Sequence, residues 1–282
     1  MFNATELLID EFVRQLRAGY RRTYGGQNPA YEEIIGWVGA MAMENIANSD
    51  ALYHNVEHSI MVGLVGQEVL RGRHIKEGGV TCEDWLHFII SLVCHDIGYV
   101  KGVCRDDNGQ QFATGVDGLM IELPEGSTDA ALTPYHVDRG KLFIEERFGQ
   151  HQLIDAEVIK RNLELTRFPV PDAEDHKCTT NFPGLLRASD LIGQMSDPRY
   201  LKKISALFYE FEETGMNKIL NYKHPGDLCR NYPKFFWNVA YPYIEPALRY
   251  LSLTQAGKQI IANLYSNVFT AEHVVPPIHL VS

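Results

Sequence analysis

One predicted helix is apolar around almost its whole circumference. Thr81 and Asp84 have the spacing of a capping box, and behind them come Trp85, Leu86, Phe88, Ile89, Ile90, Leu92, Val93 and Cys94. A helix without a polar face belongs in the middle of a protein. The rest of the chain repeats the 3.6-residue period: Leu8, Phe12, Val13 and Leu16 behind Asn3 and Thr5 as caps, then Leu201, Ile204, Phe208 and Phe211 behind Asp197-Pro198, then Ile261, Leu264 and Val268. Clean period-two alternation is absent, so the expected fold is all-α. We expect a single domain over 1–282, its motif core at about 50–195, with Pro169, Pro171 and Pro276-Pro277 at helix ends. The glycine-rich stretch from Lys101 to about Leu132 lacks periodicity and reads as either a site wall or a surface insertion.

Composition narrows the partners. The chain has 282 residues, 45% of them hydrophobic, and 26 Lys+Arg against 36 Asp+Glu, a formal charge of −10. That length supports one sizeable core, and the acidic balance disfavours long nucleic acids and anionic membranes. No apolar stretch approaches the ~20 residues of a membrane span. Five unpatterned cysteines and an N-terminus unlike a signal peptide point to a reducing, cytoplasmic setting.

Four places carry metal-ligand residue types. His54 and His58, four apart in Tyr53-His54-Asn55-Val56-Glu57-His58, would share one helical face. His95-Asp96 ends the apolar helix, where an uncompensated charge is costly and a metal would compensate it. Asp190 interrupts the apolar run Leu185–Ile192, with Arg187 one turn away as an alternative partner. His136 stands near the start of a helix that runs to about Gly149.

The ordered set His58, His95-Asp96, Asp190 resembles the HD-domain metal-dependent phosphohydrolases, and Tyr53-His54-Asn55-x-x-His58 resembles the Y-H-N-x-x-H signature of class I cyclic nucleotide phosphodiesterases. The resemblance covers roughly Tyr53 to Asp190 and implies an all-helical phosphodiesterase-like bundle. It implies that His58, His95, Asp96 and Asp190 hold one divalent ion (Mn, Fe, Mg, Zn or Ni), that Asp96 bridges to a second, and that His54 is the proton donor. It also offers His136 as a second-metal ligand. The implied activity is hydrolysis of a phosphoester in a small nucleotide or other phosphorylated substrate by metal-activated hydroxide, in a monomer or a homo-oligomer. The chain departs from the family at Ser59 and Met61, and at Tyr99, where phosphodiesterases have a second His followed by Pro-Gly; the Gly-Tyr-Pro motif of cyclic-di-GMP enzymes is missing as well.

Two other readings use the same residues. His54-x-x-Glu57-His58 satisfies the H-x-x-E-H pattern of zinc metalloproteases, with Glu57 as base, but leaves His95-Asp96 and Asp190 unexplained. A non-catalytic HD-fold nucleotide-binding protein would be expected to have lost a ligand, and all four are present. Arg139, Lys141, Arg167 and Arg187 are candidate phosphate contacts, each more simply read as an ordinary surface arginine or lysine. Tyr232, Phe235, Phe236, Trp237, Tyr241 and Tyr243 form an aromatic segment that reads as packing before base stacking. Cations held by Asp96 and Asp190 would offset the negative field locally.

Overall fold

The computed structural model describes residues 2–273; the Pro276-Pro277 reading lies outside them. The chain is all-α, and its described residues include one small β-hairpin. Its helices are α1 (Ala4–Tyr24), α2 (Pro29–Ile46), α3 (Val56–Glu77), α4 (Cys82–Cys94), α5 (His136–Phe148), α6 (Ala156–Glu164), α7 (Phe182–Met195), α8 (Tyr200–Glu213), α9 (Met216–Leu220), α10 (Pro225–Phe235), α11 (Tyr241–Leu251) and α12 (Gln255–His273). A π-helical turn, Phe236–Ala240, joins α10 to α11. Among the described residues no helix is long and apolar enough to cross a membrane.

One continuous set of buried side chains runs from Ile9 to Ala271, and α4 is buried from Trp85 through Cys94. Its capping box is intact: Asp84 N donates to Thr81 Oγ1 at 3.0 Å and Thr81 N to Asp84 Oδ2 at 2.9 Å. Burying such side chains stabilises by roughly 1.5–3 kcal/mol each before entropy is counted. Inside α4, His87 and Ser91 are hydrogen-bonded, while the Trp85 indole N–H is buried without a partner. His87 Nε2 accepts from Asp155 N at 2.8 Å, and burial pushes its pKa down, so the ring stays neutral and able to accept. Ser91 Oγ donates to His87 O and accepts from Asn162 Nδ2.

Helix α3 packs against α4 on one side and α7 on another. The α3–α7 crossing is close because residue 193 has no side chain: a Cβ there would lie 2.8 Å from Val62 Cα and 2.9 Å from Val62 N. That closeness brings the first turn of α3 beside the middle of α7.

Three local expectations need correction. His54 is not helical: Asn55 is the N-cap of α3, its Oδ1 accepting from Glu57 N and His58 N at 3.0 and 3.3 Å, so the shared-helical-face argument for His54 and His58 fails. Helix α8 begins at Tyr200, after a turn in which Asp197 Oδ1 accepts from Arg199 N at 2.7 Å, because that side chain satisfies the turn and not the helix. Thr5 lies inside α1, which Asn3 alone caps.

The 101–132 stretch is neither structureless nor a helix. It holds the antiparallel pair β1 (Gln111–Ala113) and β2 (Met120–Glu122), then a 3-10 segment, Asp129–Tyr135, that leads into α5. Arg139 of α5 anchors it. The guanidinium donates to the Gly98, Val100 and Ala113 carbonyls and, through both terminal nitrogens, to Asp107, which uses all five of its N–H bonds.

Candidate metal centre

Four side chains from two helices and the end of a third converge. Helix α4 stops at His95, its C-cap; Asp96 leaves helical geometry at φ −103° and ψ 5°, and a 3-10 turn Ile97–Tyr99 follows. His58 comes from the first turn of α3 and Asp190 from α7, one turn before the Gly193 crossing. His58, His95 and Asp96 are 4%, 1% and 5% exposed, deep enough for their charges to need compensation.

The donor atoms face one another. His95 Nε2 lies 3.1 Å from Asp96 Oδ2, 3.7 Å from Asp190 Oδ1 and 3.4 Å from His58 Nε2; His58 Nε2 lies 3.2 Å from Asp96 Oδ2 and 3.4 Å from Asp190 Oδ1. Edges of roughly 3.0–3.4 Å are what ligands about 2.1 Å from a common ion would have.

Their protonation makes the same demand. His95 Nδ1 lies 2.8 Å from the Leu92 carbonyl, which can only accept, so Nδ1 carries the proton and a neutral ring presents a bare Nε2 lone pair to Asp96. Asp96 Oδ2 is fully buried without a hydrogen-bond partner, as is His58 Nδ1. Lone pairs facing one another at 3.1 Å are repulsive unless a proton or a cation sits among them. Burial alone would raise both carboxyl pKa values, yet the His95 and His58 imidazoles hold Asp96 and Asp190 well below the usual carboxylate range. Burial likewise works against a charged His95, and the two carboxylates more than reverse it. The set fits a divalent ion.

His54 stands beside this group, its ring centroid 5.4 Å from that of His58, and forms a donor triad with His58 and Asp96. Its Nδ1 lies 2.5 Å from Glu210 Oε2 on α8, while Glu210 Oε1 accepts from Tyr53 N and His54 N at 2.6 and 3.2 Å. Burial pushes the His54 pKa down, but the Glu210 carboxylate, by its charge and its hydrogen bond, outweighs this. With smaller help from Asp96 and Asp190, it carries His54 up to about 9.

Tyr99 stacks on His54 at 4.5 Å with the planes 12° apart, and on its other face against His136 at 4.6 Å and 25°. Gly98 makes this possible: a Cβ on it would meet the His136 carbonyl oxygen at 1.9 Å. His136 donates from Nδ1 to the Thr133 carbonyl at 2.6 Å. Among the described residues it belongs to no three-donor group; it sits beyond Tyr99 from His54.

Other sequence candidates lie elsewhere. Glu57, which the protease reading needs as a base, is 40% exposed at its side chain and ion-paired with Arg199 and Lys203 at 2.6 and 2.8 Å. Arg139 serves the hairpin. Lys141 and Arg167 are paired with Asp138 and Glu164. Arg187, the alternative partner of Asp190, donates to the His176 and Cys178 carbonyls and lies over the Tyr243 ring at 4.1 Å. The aromatic segment packs on itself and on α12, as in Phe236–Trp237 at 4.8 Å and Trp237–Tyr265 at 6.3 Å.

Glu210 was not singled out by sequence reasoning. Its available signal was a carboxylate in phase with the buried Ile204 and Leu207 of α8. Tyr99 registered only as a departure from a motif.

A family model described as Npun_R2479-like matches residues 2–274. No curated protein and no solved structure matches the chain.

Proposed function

We propose that this chain, which belongs to the Npun_R2479-like family, is an HD-type metal-dependent phosphohydrolase that cleaves a phosphoester bond in a small nucleotide or similar substrate. The observation that carries the reading is the group of donor atoms from His58, His95, Asp96 and Asp190, 3.1–3.7 Å apart, beside a His54 paired with Glu210. A divalent ion held by those four residues, drawn from Mn, Fe, Mg, Zn or Ni, would polarise a phosphoryl oxygen and lower the pKa of water. The remaining chemistry falls to the protein. As water adds to the phosphorus of a diester and the ester P–O bond breaks, the leaving oxygen takes a proton from His54 Nε2 and the proton shed by the water returns to His54 through solvent, giving an alcohol and a phosphate monoester. Glu210 holds the His54 ring in orientation through Nδ1 and favours its charged form, and Tyr99 fixes the ring plane from one face.

The five thiols are free, which agrees with a cytoplasmic setting. The test is hydrolysis of bis-p-nitrophenyl phosphate and a panel of cyclic and linear nucleotides by protein reconstituted with each metal. Turnover that Asp96→Ala abolishes is expected. Protein that retains no metal and turns over nothing on the panel would sink the reading.

A further inference from the structure

We propose that the cavity at the β1–β2 hairpin is a binding site for a small organic cation, an amine or guanidinium carried on an apolar stem. None of the residues lining it belongs to the metal centre, so the site stands apart from the phosphohydrolase reading.

The cavity measures about 640 Å³, inside the range of roughly 300–1,000 Å³ typical of small-molecule sites. Two turns of the 101–132 stretch wall it, one at Gly109 and one at Gly126, with φ of 86° and 80°. Both turns are pinned by the protein itself. Asn108 Oδ1 accepts from Gln110 N and Gln111 N at 3.1 and 2.9 Å. Ser127 donates to the Pro124 carbonyl from its N and its Oγ, at 3.1 and 2.7 Å. Lys101 Nζ donates to Ser127 O at 2.6 Å, tying the second turn to the chain that follows Tyr99. Asp107, in its buried pair with Arg139, accepts from Ala113 N at 2.9 Å and so fixes β1. Walls held this way need little further ordering when a ligand enters.

The lining is negative. Glu122 and Glu125 both contribute to it, and among the described residues neither forms an ion pair; Glu122 Oε1 accepts only from Gln111 Nε2, at 3.3 Å. Lys101 is the one cationic side chain in the lining, and its charge is already engaged: the ammonium lies 3.5 Å from the buried Asp129 Oδ1. Two carboxylates without a counter-charge attract a cation and repel a nucleotide phosphate. Buried Phe112, with Leu123 and Pro124, supplies the apolar part of the lining. A metal ion gains nothing from such a wall, which cannot replace its water, whereas a carbon stem packs on it and an aromatic ring attracts an organic cation.

Isothermal titration calorimetry of the full chain with agmatine, an ammonium and a guanidinium on a butyl stem, tests the assignment. Saturable binding at one equivalent is expected, with no heat from the neutral butane-1,4-diol. Glu122→Gln/Glu125→Gln is expected to weaken it roughly a hundredfold, about tenfold for each charge-assisted hydrogen bond lost. Glu157→Gln/Glu174→Gln, which removes the same charge outside the cavity, is expected to leave the affinity unchanged. All four acids are exposed, so both variants keep the fold. An equal loss in the second variant would mean attraction by the net charge of −10 alone and would overturn the proposal. So would the absence of agmatine binding, binding that survives Glu122→Gln/Glu125→Gln, or heat from Ca2+ with none from agmatine.

Discussion

Glu210 Oε2 lies 2.5 Å from His54 Nδ1, and the other oxygen of the same carboxylate accepts from the backbone N–H groups of Tyr53 and His54. One buried side chain on α8 thereby sets both the ring and the main chain of a residue just before α3. The pairing matters because His54 lies outside any helix that could orient it.

The first prediction concerns pH. The folded-state pKa of His54 is raised to about 9, above the ordinary value near 6.5, so its proton and the ion-pair stability it contributes are fully present below about 6.5 and are lost as pH rises through about 9. A bound cation would cancel the smaller contributions of Asp96 and Asp190, but not that of Glu210. Glu210→Gln is expected to move the basic limb of the kcat profile downward, costing roughly tenfold in kcat near pH 8. A full pH–rate profile with the basic limb unmoved would contradict this.

Metal should stabilise the fold. Because an ion would relieve the lone-pair repulsion among His58, His95 and Asp96, it binds the native state preferentially, and about 100-fold excess over Kd stabilises by about 2.7 kcal/mol. Thermal melts with and without chelator should differ by several degrees in the unmutated protein. In Asp96→Asn, which loses the carboxylate oxygen 3.1 Å from His95 Nε2, the difference should vanish; a persisting shift would place the stabilising ion elsewhere.

Gly98→Ala is predicted to destabilise. The added methyl would meet the main chain of α5 at 1.9 and 2.7 Å, and backbone cannot step aside as a side-chain tip can. Overpacking of this kind costs roughly 1–3 kcal/mol and would loosen the Tyr99–His136 stack. Gly26→Ala, where nothing lies within 4 Å of the new Cβ, is the control and should change little. Urea titrations of the two variants give the comparison.

Arg139 is predicted to matter for stability and not for substrate. Its side chain and that of Asp107 are both fully buried at 2.9 Å, so Arg139→Met leaves a buried unpaired carboxylate, a loss of roughly 3–5 kcal/mol. Arg139→Lys should not rescue it, because an ammonium cannot supply five donors in a plane. Denaturant midpoints measure the loss; an unchanged midpoint with raised KM would instead make Arg139 a phosphate contact.

The all-α class and the central position of α4 were legible because both depend on local sequence: the 3.6-residue period and the near absence of polar residues from Trp85 to Cys94. The four donor residues were legible for a related reason. His95-Asp96 and Asp190 sit in apolar helical runs, where a polar group needs a partner, and their order along the chain matched a known pattern. The helical argument for His54 failed because Asn55 competes for the backbone as an N-cap and starts α3 only at Val56. Repetitive periodicity also says nothing about a segment such as 101–128, whose shape is held by Arg139 from a later helix.

By itself, then, the sequence determined the all-α class, the central place of α4 and which residues are of metal-ligand type, since each of these follows from side-chain type and short-range spacing. Only the tertiary structure decided what stands next to what. Glu210 comes to His54 across 156 positions, Gly193 admits α7 close enough to α3 to bring Asp190 within 3.4 Å of His58, and Tyr99 is stacked between His54 and His136. These relationships arise from helix crossings set by packing of the whole core, which no local pattern encodes.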